Sequence, residues 1–224
     1  MFSTNLISNY AICFCMYFAM LRIIQLNRSN QLVDEKGCFA QNPGNLLGLQ
    51  IAGILWLGLV PLIWATPILH IIMGDKNIQP VWSVSIFAVA ILLMHVGTLQ
   101  GKRQVVLSPP NTGLPKLFYI RYFILRIPFL VSYEIFFRGL LLFLLAEKLG
   151  IAMAILADMV LNIVLHFFSG KKMMWACIPF SLLCCVFNYQ AQAVWPSIVL
   201  HLAISFSFEL TIAKKLLNPL KISS

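Results

Sequence analysis

The chain has 224 residues, 60% of them hydrophobic and 10% charged, with a mean hydropathy of +0.88. Soluble domains carry roughly 25% charged residues, so a soluble globular fold is excluded. An all-α, polytopic transmembrane helix bundle of about seven spans is expected instead. The formal charge of +9 does not point to nucleic acid, because the basic residues sit between apolar runs with no basic patch interleaved with exposed aromatics. The lipid bilayer is the expected surrounding.

Seven spans can be read, at about 5–25, 48–73, 80–98, 117–146, 150–169, 173–189 and 194–213. The first apolar run lacks both a basic segment before it and a small-residue cleavage site after it. It therefore reads as a span and not as a signal peptide. Two connections are longer, 27–45 and 99–116. The second contains Ser108-Pro109-Pro110-Asn111-Thr112-Gly113, which cannot be helical throughout. The cysteines are Cys13, Cys15, Cys38, Cys177, Cys184 and Cys185; none shows metal-type spacing, and they read as small apolar residues.

The basic residues alternate between connections. Arg22, Arg28 and Lys36 flank the first, Lys102, Arg103 and Lys116 the third, and Lys171 and Lys172 the fifth. Lys214, Lys215 and Lys221 follow the last span, while the other side holds only Lys76 and Lys148, each beside an acid. The positive-inside rule then predicts an integral protein of the plasma (inner) membrane with a cytoplasmic C-terminus. Arg121 and Arg126 would snorkel at the cytoplasmic start of span four. His70 and His95 each stand alone and read as interfacial or packing residues.

Span four carries Ser132-Tyr133-Glu134-Ile135-Phe136-Phe137-Arg138-Gly139 inside an apolar run. A charge at the bilayer centre costs at least about 2.5–3.5 kcal/mol, so two need a reason. Glu134 and Arg138 stand four apart and share a helical face. They form either a salt bridge that pins packing or a reactive carboxylate positioned by its arginine. Span five carries Asp158, Asn162 and His166, and span seven His201, Ser205 and Glu209, both at i, i+4, i+8. Polar faces in lipid turn into the bundle or into a water-filled cavity. At about 1.5 Å per residue the three stripes overlap in depth, so one site in the cytoplasmic half is feasible.

These residues resemble the CPBP family of intramembrane proteases, also called the CAAX protease and bacteriocin-processing, or ABI, family. Its pattern is Glu-Glu-x-x-x-Arg-Gly, Phe-x-x-x-His and His-x-x-x-Asn, with a Trp-Pro-x-Ile lead into the last. The matching stretches here are Tyr133 to Gly139, Asn162 to His166 and His201 to Ser205, the last preceded by Trp195-Pro196-Ser197-Ile198. The resemblance covers about residues 117–213. Three positions depart from the pattern: Tyr133 replaces the first glutamate, Asn162 the phenylalanine and Ser205 the asparagine.

The resemblance implies an intramembrane endopeptidase acting on membrane-associated peptide or protein substrates through carboxylate-activated water. In that reading Glu134, aided by His166, deprotonates water, and His201 with Ser205 holds the oxyanion. Arg138 keeps Glu134 ionised and fixed. Adjacent helical positions point about 100° apart; if Glu134 is turned away, Asp158 or Glu209 could supply the base. A divalent metal such as zinc could be held by Glu134, His166 and His201 with one position open, although a metal-free mechanism is preferred. The alternative is a catalytically inactive relative serving as a membrane scaffold or immunity protein. A carrier is disfavoured because no internal repeat is visible. The chain would divide into N-terminal spans (1–116), a protease core (117–213) and a basic cytoplasmic tail (214–224).

Overall fold

The computed structural model describes residues 4–24, 31–33, 37–39, 43–64, 79–106 and 115–217. Among these residues there is no strand beyond a single bridge between Val33 and Phe39. Seven helices follow one another among the described residues: α1 (Thr4–Ile24), α2 (Pro43–Ile63), α3 (Pro80–Arg103), α4 (Lys116–Leu149), α5 (Ile151–His166), α6 (Lys171–Ala191) and α7 (Trp195–Leu217). Each overlaps one predicted span. Six are long and apolar enough to cross a membrane; α5 has only 16 residues. At 1.5 Å per residue α5 covers about 24 Å of a hydrocarbon core about 30 Å thick. A 3-10 turn at Phe167–Ser169 continues it.

Several boundaries differ from the sequence reading: α2 begins earlier, at Pro43, and α3 ends later, at Arg103. Helix α4 runs for 34 residues. Helix α7 runs on to Leu217, so Lys214 and Lys215 belong to its last turn and not to a tail. Lys215 Nζ donates to the carbonyls of Lys102 and Gln104, at 2.6 and 2.9 Å, satisfying acceptors at the end of α3. Arg28, Lys36, His70, Asp75, Lys76, the 108–113 connection and Lys221 lie outside the described residues.

Contacts fix how the helices run. Tyr122 and Arg126 meet Glu209, while Glu134 meets His201, so α4 and α7 are antiparallel. Tyr133 meets Asn162 and Arg138 meets Asp158, so α4 and α5 are antiparallel too. Helix α4 is the centre. Its Phe129, Tyr133, Phe136, Phe137 and Leu140 form one core with Tyr10, Tyr17, Leu49 and Leu57 of α1 and α2. Helix α3 instead shows Val81, Val84, Phe87, Ile91 and Leu92 on its outside, as a lipid-facing helix does.

Helices α3 and α7 pack in parallel through Gly97 and Gly101, a small-xxx-small pair that lets backbones approach. A Cβ at Gly101 would lie 2.8 Å from Thr211 Cβ and 2.9 Å from the Phe208 carbonyl oxygen. Backbone cannot yield as a side-chain tip can, so Gly101→Ala should destabilise by about 1–3 kcal/mol. Gly48 lies in α2 with nothing near its would-be Cβ. Gly48→Ala should therefore stabilise by up to about 1 kcal/mol through helix propensity. Thermal melting in detergent checks the opposite signs.

Candidate active site

Helix α4 is α-helical through Glu134 and then forms a π-helical stretch, Ile135–Leu141, in which the Leu142 N–H bonds the Phe137 carbonyl. Such i→i+5 stretches frequently occur at functional sites. Every residue from Phe136 to Leu141 is buried. The neighbours Tyr133 and Glu134 face different ways, as adjacent helical positions must. Tyr133 lines a cavity, and Glu134 turns toward α7.

Glu134 is wholly buried. Its Oε1 lies 2.5 Å from His201 Nδ1 and 3.5 Å from Arg138 Nη1. Arg138, also wholly buried, reaches further. Its Nη2 donates to Ser181 Oγ at 2.9 Å, and its Nε lies 3.5 Å from Asp158 Oδ2. Ser181 Oγ and Cys185 Sγ both donate to that same Asp158 oxygen, at 3.1 and 3.2 Å. One guanidinium thus ties two carboxylates together across α4, α5 and α6. Its plane also lies over the rings of Tyr133 and Phe137, at 5.7 and 5.5 Å from their centroids.

The cavity beside this cluster has a volume of about 150 Å³. Tyr133, Arg138, Asn162, His166, His201 and Ser205 line one part of it. Phe129, Phe180, Ile204 and Phe208 supply apolar wall, and Gln31, Gln100 and Arg126 add polar groups. Glu134 does not line it. The His201 side chain is 15% exposed and the Glu134 side chain 0%. His166 Nδ1 lies 2.9 Å from the Asn162 carbonyl oxygen. A carbonyl only accepts, so Nδ1 carries the hydrogen and the neutral ring keeps its Nε2 lone pair. Beside an ionised Glu134, which can only accept, His201 Nδ1 would carry its hydrogen in the same way. The Tyr133 hydroxyl donates to Asn162 Oδ1. The Tyr133 ring stands edge-on to both imidazoles, with centroids 6.3 Å from His166 and 5.7 Å from His201.

The structure therefore brings Arg138, His166, His201 and Ser205 to one cavity, with Glu134 one contact behind His201. The two carboxylates considered as replacement bases are engaged elsewhere. Asp158 is held by Arg138, Ser181 and Cys185. Glu209 accepts from Tyr122 at 2.8 Å and pairs with Arg126 at 2.7 Å. That pair corrects the expectation that Arg126 snorkels: the residue is 2% exposed. Leu32, Val33 and Phe39 of the first connection pack over Phe118 and Tyr122 and cover this part of α4. Arg121 is exposed, as expected, and His95 is exposed on α3, away from the cavity. Ser181 carried no sequence signal, being one serine in an apolar span.

The residues do not fit a three-ligand zinc site. Glu134 does not line the cavity, which leaves two imidazoles facing it. Among the described residues no three His, Cys, Asp or Glu side chains converge to hold an ion.

Residues 115–207 match the family model described as type II CAAX prenyl endopeptidase Rce1-like. That match is consistent with a CPBP-family protein. The matched stretch contributes every cavity residue named above except Gln31, Gln100 and Phe208. No curated protein and no solved structure matches the chain. Six helices among the described residues are long and apolar enough to cross a membrane, and together with the match they point to an integral membrane protein.

Proposed function

We propose that the protein is an intramembrane endopeptidase cleaving membrane-associated peptides or proteins, with His201 rather than Glu134 as the group that meets water. The observation that carries this is the contact between Glu134 Oε1 and His201 Nδ1, with His201 alone of the two on the cavity wall. A carboxylate behind Nδ1 fixes the tautomer and stabilises the imidazolium formed when Nε2 takes a proton.

The reaction then runs on the chain's own residues. His201 Nε2 takes a proton from water as the water oxygen bonds the scissile carbonyl carbon. His166 Nε2 accepts the second hydrogen of that water and orients it. The Ser205 hydroxyl donates to the oxyanion. Collapse breaks the C–N bond, and the His201 imidazolium returns its proton to the departing amine. Arg138 does not touch substrate; it fixes Glu134. The four spans of 117–213 would carry this chemistry. We place it in the plasma (inner) membrane, and the basic bias of the connections supports a C-terminus in the cytoplasm.

A second reading, a non-catalytic scaffold or immunity protein, draws support from one observation. The carboxylates of Glu134, Asp158 and Glu209 are all committed to buried pairs, and none lines the cavity. Reconstitution in liposomes with a library of membrane-anchored peptides decides between them. Defined new N-termini should form with wild type and be absent with His201→Gln. Equal products from both would remove His201 from the chemistry. A folded wild type that yields no products with any substrate would favour the binding protein.

A further inference from the structure

We infer that the Tyr133 hydroxyl is a second donor to the oxyanion, held ready by Asn162; this rests on the endopeptidase reading. Tyr133 and Asn162 both line the cavity, and they bond each other. Tyr133, Asn162 and Ser205 are the three departures from the family pattern, and all three line this cavity. The first two form a bonded donor and acceptor at positions where the pattern has glutamate and phenylalanine. Tyr133 is also the ring that both imidazoles flank. A carbonyl attacked by water held between His201 and His166 develops its charge beside that ring.

The resting hydroxyl points at Asn162 Oδ1. Rotation about its C–O bond redirects the hydrogen into the cavity without moving the ring, which Phe129 and Phe137 hold at centroid distances of 6.2 and 4.7 Å. No bond to hydrogen breaks; the hydrogen bond passes from the amide oxygen to the oxyanion as the tetrahedral intermediate forms. Asn162 is the positioning residue. Its side chain orients Tyr133, and its main-chain carbonyl orients His166. A donor fixed before charge develops needs no reorganisation at that moment, which is what makes oxyanion donors effective.

The test is Tyr133→Phe, which removes one oxygen and keeps the ring. The expected result is a loss of about 100-fold in kcat, with KM little changed. Affinity for a phosphinate peptide, a tetrahedral anion, should fall in parallel. Because Tyr133→Phe also strands a buried amide, the double variant Tyr133→Phe with Asn162→Leu is measured beside it. Removing both partners of a buried hydrogen bond can be nearly neutral for stability. The double variant should melt closer to wild type yet stay as slow as the single one. If turnover returns together with stability, the hydroxyl is structural and the inference is overturned. It is equally overturned if wild type cleaves and Tyr133→Phe cleaves as fast. If wild type neither cleaves nor binds the phosphinate peptide, the endopeptidase reading fails and takes this inference with it.

Discussion

Glu134→Gln is expected to lower cleavage per folded molecule by about 100- to 10,000-fold, the usual size of a lost acid–base contribution, while folding changes little. The reason lies in what each side of Glu134 does. Toward His201, glutamine still offers an oxygen to Nδ1 but no charge to balance an imidazolium. It can also present its amide N–H₂ and impose the wrong tautomer. Toward Arg138, the loss is small because Asp158 remains beside the guanidinium, with Nε 3.5 Å from Oδ2. The cluster goes from two carboxylates around one guanidinium to a balanced pair. Stability should shift by no more than the roughly 1 kcal/mol of one hydrogen bond. Turnover in liposomes and thermal melting of the same preparation give both numbers. A variant that melts far below wild type would assign Glu134 to structure instead.

Arg138→Met is expected to show the opposite balance, with destabilisation of about 3–5 kcal/mol, typical of breaking a buried pair from one side. Here one removal strands two carboxylates at once, since Glu134 and Asp158 are both wholly buried and both lean on Arg138. Ser181 also loses its 2.9 Å donor. Adding Asp158→Asn to Arg138→Met should recover part of the loss by removing one stranded charge. Denaturant or thermal unfolding checks the order: Arg138→Met lowest, the double variant between, wild type highest. If Arg138→Met melts like wild type, the three-way cluster is not formed as described.

The spans were legible because a helix that crosses a bilayer must be a run of about 20 apolar residues, whatever surrounds it. The stripes at 158, 162, 166 and 201, 205, 209 were legible for a related reason, since polar side chains in lipid have only the bundle interior to turn to. What sequence could not give was rotation. Tyr133 and Glu134 are neighbours, and which one meets the cavity depends on how α4 is turned against α7, a matter of tertiary packing. The π-helical stretch beginning at Ile135 shifts the register further. The Arg126–Glu209 pair was hidden because its members lie 83 residues apart. The snorkelling expectation failed for Arg126 because Glu209 of α7 pairs with it inside the bundle, and nothing local to Arg126 says so.

The central claim is that water meets His201 and that Glu134 acts only through it. The most direct measurement is the single-turnover cleavage rate of wild type, His201→Gln and the Glu134→Gln, His201→Gln double variant, each corrected for folded fraction. Residues acting as one unit are non-additive. The account predicts that the double variant is no slower than His201→Gln alone, because the carboxylate has nothing left to act on. A double variant slower by a further factor of about 100 or more would show that Glu134 contributes on its own, with a general-base share of the usual size. That result would contradict the assignment of His201 as the group that meets water.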